Sequence, residues 1–206
     1  MSTFEFFFSF YGLLLGLSVA VLATGAARAF KHRKAIKVGW LTPLLATFVA
    51  LDIATFWDAA WVNFRGLPFS YGLLVGGLLI AVVYFIAASL VFPDETDADL
   101  SLDEHFWTHK RTVLILLILA NLLGGAAQLA VNFARENGQL IVATYGLFIG
   151  VYVVLVGLAA WTKRRWLFAV ALGLHVVLYL YIAVYTVVSP PSPQSPLAHV
   201  RAETIQ

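Results

Sequence analysis

Residues 7–37 read FFSFYGLLLGLSVAVLATGAARAFKHRKAIK. Residues 7–27 carry no charge, and Arg28, Lys31, Arg33, Lys34 and Lys37 follow directly. An uncharged run of this length crosses a hydrocarbon core of about 30 Å at about 1.5 Å per residue. Lys and Arg collect on the cytoplasmic side of a bilayer, so this stretch predicts an external N-terminus and a basic cytoplasmic loop. A cleaved signal peptide carries its positive charge ahead of the apolar run. Residues 1–10 contain Glu5 and no base. Despite the A-x-A look of Ala27-Arg28-Ala29, the first span is therefore expected to be a retained, reverse-oriented anchor.

The pattern continues outward from this stretch. Apolar residues make up 61% of the chain and charged residues 12%, with a mean hydropathy of +0.88. A soluble domain needs far more polar surface. Six apolar stretches, near 7–29, 39–62, 71–92, 112–134, 140–161 and 166–188, predict an all-α integral membrane domain over residues 1–188 with both termini outside. Lys110 and Arg111 precede span 4, and Lys163, Arg164 and Arg165 follow span 5, so ten of the thirteen bases fall on one side. Arg65, Arg135 and Arg201 hold the other. This bias predicts an inner (plasma) membrane protein of a bacterium, and it explains the net charge of +2 without a nucleic-acid partner.

The outer ends of the odd spans share a pattern. Tyr11-Gly12-x-x-x-Gly16, Tyr71-Gly72-x-x-x-Gly76 and Tyr145-Gly146-x-x-x-Gly150 recur at matching depth. Tyrosine suits the membrane interface, and glycines one turn apart let a neighbouring backbone approach. The six glycines are expected to pack helices. Either the chain is three two-helix hairpins derived from one unit, or the abundance of Tyr, Gly and Leu produces the match.

The even spans carry the polar groups. Asp52, Asn121 and His175 lie near mid-membrane, one per even span, and Asn63, Asn132 and Thr186 follow eleven residues later. Eleven residues are about three turns, so each pair shares a face. Gln128 fills the face of span 4, and Tyr179 with Ile182 that of span 6. Lipid cannot satisfy such groups, so the stripes are expected to point inward or at a partner chain.

Asp52 is the sharpest candidate. A carboxylate at mid-membrane costs roughly 3 kcal/mol on insertion scales, so it must be protonated, paired or wet. It reads either as a coupling carboxylate or as a packing acid bonded through His175 or Asn121. His175 reads as a hydrogen-bonded structural histidine, a relay or a substrate contact; the other four histidines fall in loops or the tail, which argues against bis-histidine haem ligation. Asn121, Gln128, Asn132 and Tyr179 either line a path or make interhelical bonds. Trp57 and Asp58, beside Trp61, form an aromatic and acidic face that reads as an interfacial belt or as a binding face.

The loop 93–111 holds six of the eleven acidic residues. Ser101 and Glu104 have capping-box spacing, which predicts a short interfacial helix over 102–110. His105 and His109 are four apart, but without further ligand spacing the loop reads as a docking surface and no metal site is assigned. Residues 189–206 contain four of the seven prolines and read as an external disordered tail. No cysteine is present, which excludes disulfides and thiolate chemistry. No nucleotide, hydrolase or metalloprotease motif occurs, so no cofactor is assigned and an enzyme is the less favoured class.

The first expectation for function is translocation of protons, ions or a small polar solute along a seam between spans 2, 4 and 6, in an oligomer. The second is a non-catalytic accessory or assembly subunit of a larger membrane complex. A third is a membrane enzyme acting on lipid or quinone, which requires a lateral opening beside Trp57, Asp58 and Trp61.

Overall fold

The computed structural model describes residues 3–32, 39–64, 70–93, 102–132 and 138–188. The side chains of residues 3–7, 64, 131–132 and 138–142 are not among them. Arg33, Lys34, Lys37, Ser101 and the tail 189–206 lie outside the described residues, as does most of the acidic loop.

The described residues form six helices: α1 (Thr3–Lys31), α2 (Leu41–Phe64), α3 (Tyr71–Ser89), α4 (Leu102–Asn132), α5 (Gly138–Trp161) and α6 (Arg165–Val188). Each is long and apolar enough to cross a membrane. Their surfaces are the inverse of a soluble protein's: Leu13, Leu147 and Val187 are 71%, 68% and 80% exposed, which only an apolar solvent tolerates. The chain is a multi-pass membrane protein.

Local chemistry sets the helix ends. Ser70 caps α3 by accepting from the Leu73 N–H at 3.2 Å. Pro43 falls in the first turn of α2, where its missing N–H is not needed. Asp103 and Glu104 open α4, where negative charge suits the helix dipole. The interfacial helix expected over 102–110 is not a separate element. It runs unbroken into span 4, giving a helix of 31 residues, about 46 Å at 1.5 Å per residue. One face of its first turns packs on the bundle, where Leu102, Phe106 and Lys110 are buried.

In cross-section the helices close a ring in the order α1, α3, α4, α5, α6, α2, with α2 also touching α3 and α4 across it. The end holding Lys31, Lys110 and Arg165, hereafter the basic end, is bonded between helices. The Lys110 ammonium donates to the Ala159 and Thr162 carbonyls at the close of α5 and lies 4.6 Å over the Trp107 ring. A cation on the last carbonyls of a helix is favoured by its dipole. His105 Nε2 donates to the Leu90 carbonyl at 3.1 Å, tying α4 to the end of α3. His109 Nδ1 donates to the His105 carbonyl, so both rings of this pair are engaged with backbone. Arg165 pairs with Asp103 at 3.1 Å, a half-exposed contact that contributes under about 1 kcal/mol. Lys110→Met is expected to strand the α5 carbonyls and to cost about 1–3 kcal/mol. A lowered midpoint in thermal unfolding of the detergent-solubilised protein measures it.

Within the chain, Gly12 alone of the six motif glycines seats a neighbour: an added Cβ would lie 2.7 Å from Trp57 Cζ2. At Gly16, Gly72, Gly76, Gly146 and Gly150 it would meet nothing within 4 Å. Those faces of the odd helices look outward or into a cavity, not at a neighbouring backbone. Close approach occurs instead at Gly25 against Phe92 and at Gly124 against Phe56. The Phe56 ring is itself held 5.2 Å from the Tyr84 ring and 6.3 Å from the Tyr11 ring. Gly124→Ala therefore overpacks the site and is expected to destabilise the bundle by about 1–3 kcal/mol, despite alanine's better helix propensity. The same unfolding measurement tests it, with Gly146→Ala as the neutral control.

Candidate functional site

Among the described residues the bundle interior contains one buried carboxyl, Asp52 of α2, 1% exposed. Its Oδ1 accepts from the Tyr179 hydroxyl of α6 at 2.9 Å. Its Oδ2 accepts from the Tyr84 hydroxyl of α3 at 3.0 Å and from Asn121 Nδ2 of α4 at 2.9 Å. The Tyr152 hydroxyl of α5 joins through Asn121, whose Nδ2 donates to it at 3.0 Å. Three helices thus each send one donor to a residue on a fourth, and α5 is tied in behind them. Three donors occupy most of the roughly four lone-pair positions of a carboxylate. Among the described residues no cation forms an ion pair with Asp52, so hydrogen bonds alone meet its polarity.

Asn121 joins the shell together. Its Nδ2 lies 3.0 Å from the Tyr152 hydroxyl, 3.2 Å from the Tyr84 hydroxyl and 3.0 Å from the Leu117 carbonyl, besides Asp52. An amide has two N–H groups, so these acceptors share them. Tyrosine differs from an amide nitrogen here: each hydroxyl both donates and accepts. Rotation of a hydroxyl lets its oxygen accept from a protonated Asp52, so the shell can bond either state of the carboxyl without moving a helix.

His175 is not bonded to Asp52. It lies one turn nearer the basic end than Tyr179, and its Nδ1 donates to the Ala171 carbonyl at 3.2 Å. Its ring packs against Phe48, Tyr152 and Tyr179 at 5.8, 5.5 and 6.1 Å between centroids. Histidine and carboxyl thus share two tyrosine neighbours.

The remaining sequence candidates spread along the bundle. Gln128 is buried two turns beyond Asn121, away from the basic end. The side chain of Asn132 lies outside the described residues. Asn63 turns back to donate to the Ala59 carbonyl at 2.7 Å, while Thr186 and Ile182 are exposed, so the stripe on α6 leaves the interior after Tyr179. Asp58 is exposed. Trp57 is 37% exposed and stacks over Gly12, with the Phe8 ring 5.8 Å away.

Tyr84 and Tyr152 were not among the sequence candidates. A signal for Tyr84 existed: it lies thirteen residues beyond Tyr71, about 20 Å deeper along a helix at 1.5 Å per residue, too deep for an interfacial ring.

One turn beyond Asp52, away from the basic end, a cavity of about 190 Å³ opens between α1, α2, α3 and α4. Asp52 does not line it; Phe56 does, and stands between the cavity and Tyr84. No protein-family model, no curated protein and no solved structure matches the chain.

Proposed function

We propose that this chain passes protons across a membrane through Asp52 and its tyrosine shell. The observation that carries the reading is the shell itself, two hydroxyls and one amide from three helices on one carboxyl, with a third hydroxyl bonded to that amide. A proton can enter and leave such a group by hydroxyl rotation, whereas an ion or polar solute needs an opening at Asp52. Protons are accordingly the favoured cargo of the seam between spans 2, 4 and 6. Asp52 is the exchanging group, Tyr84 and Tyr179 its relays, Asn121 the anchor that also holds Tyr152, and His175 the next titratable group toward the basic end. In the orientation that the charge bias favours, the basic end is cytoplasmic, both termini are external and the membrane is a bacterial plasma membrane.

Proteoliposomes holding the purified protein and a trapped pH-sensitive dye test this. Under a potassium-diffusion potential, wild-type vesicles are expected to change internal pH faster than empty ones. Asp52→Asn keeps the shape and loses the exchangeable proton, so it should cut that rate at least tenfold, while its size-exclusion profile stays unchanged. Equal rates in wild-type and empty vesicles would sink the reading.

A second reading rests on the burial of the same cluster. A carboxyl 1% exposed and bonded on both oxygens also serves as a lock between helices, as an accessory or assembly subunit would need. Stoichiometric co-purification of another membrane protein from native membranes, together with silent vesicles, would favour it.

A further inference from the structure

We propose that the cavity between α1, α2, α3 and α4 is a binding site for one hydrocarbon chain of a membrane lipid. The floor is made by Phe56 and Ile80, both buried, at 6% and 8% exposure. The rim carries Gly72, Gly76 and Leu79 of α3, all exposed. In a membrane protein an exposed rim within the span of a helix faces lipid, so the cavity opens to the bilayer and not to water.

The walls suit a chain. The volume is about 190 Å³ and the lining is apolar apart from Tyr11. An apolar cavity of this size does not hold water, because water needs two to four polar partners. In a bilayer the available apolar filler is an acyl chain. The glycines decide the shape. Added Cβ atoms at Gly72 and Gly76 would meet no side chain and would project into free space. The matching pair on α5, Gly146 and Gly150, faces free space as well but lines no part of this cavity. The two copies of the motif therefore form a matched test and control.

The experiment uses the full-length protein in vesicles of phosphatidylethanolamine carrying a photoactivatable diazirine midway along one chain, with adducts mapped by peptide mass spectrometry. Bulk lipid reaches Leu147 and Val151, exposed on α5, and labels them in every case. A seated chain also labels Phe56 and Ile80, which bulk lipid does not touch. Gly76→Leu, which fills the slot, is expected to reduce the Phe56 and Ile80 adducts at least tenfold and to leave those on Leu147 unchanged. Gly150→Leu should change neither. Labelling confined to Leu147 and Val151, or floor adducts that survive Gly76→Leu, would overturn the assignment. If Gly76→Leu does not elute as a single folded species, Gly72→Leu at the same rim replaces it.

Discussion

Asp52→Leu is expected to weaken the folded bundle more than any other single substitution, by about 2–4 kcal/mol in denaturant unfolding in mixed micelles. Two effects add. When the helices are inserted but separate, Asp52 faces lipid at a cost of roughly 3 kcal/mol; docking relieves that cost by supplying three donors, so the acid drives association. Leucine has no such cost to relieve. In addition, two hydroxyls and an amide lose their acceptor, and each stranded group costs about 1–3 kcal/mol unless it finds another. Bonds among the tyrosines and Asn121 recover part of this, since Asn121 already lies within reach of Tyr84 and Tyr152. Asp52→Asn retains an acceptor and should cost less than half as much. The comparison separates packing from proton exchange, because the asparagine variant should be folded and silent. An Asp52→Leu protein as stable as wild type would show that the cluster adds nothing to docking.

Asn121→Leu comes next. Its amide is the only group of the shell that contacts Asp52 and two of the tyrosines together. Interhelical bonds in bilayers average about 0.6 kcal/mol and reach about 1.7, so loss of the amide should cost about 1–3 kcal/mol. The more telling quantity is coupling. If Asn121 acts through the carboxyl, the double variant Asn121→Leu with Asp52→Leu will be less destabilised than the sum of the two, by about 1 kcal/mol or more. Additive effects would mean that Asn121 acts through its own packing and not through the shell. Tyr152→Phe in the same cycle reports whether the amide orients that hydroxyl.

Half of this site can be read from the chain. Asp52, Asn121 and Tyr179 stand on even spans, and lipid's inability to bond them compels them inward, which is why they meet. The other half comes from Tyr84 and Tyr152 on odd spans. A tyrosine in an apolar helix carries no mark of whether its hydroxyl seeks a headgroup or a buried acceptor; only depth separates the two. That five of the six motif glycines meet no neighbour within the chain has a related reason. A small residue permits close approach but does not attract it, and in lipid the face it occupies is no less stable pointing outward. Gly124 and Gly25, which do seat aromatic rings, belong to no visible repeat, because what they accommodate is a single neighbour's side chain. Lys110 looked like one more charge that orients the chain. That it also caps α5 depends on the loop 162–164 returning beside it, a tertiary fact with no sequence period.

The bonds at the basic end have a mechanical consequence. Lys110 welds α4 to α5, His105 clasps α4 to α3, and Arg165 hooks α6 onto α4. In the half beyond Asp52 the described contacts are aromatic, with Phe8 against Trp57 and Trp61 and Phe56 against Tyr11, beside the cavity. Directional bonds thus fix the register of the helices at one end, while rings that can slide over one another fill the other.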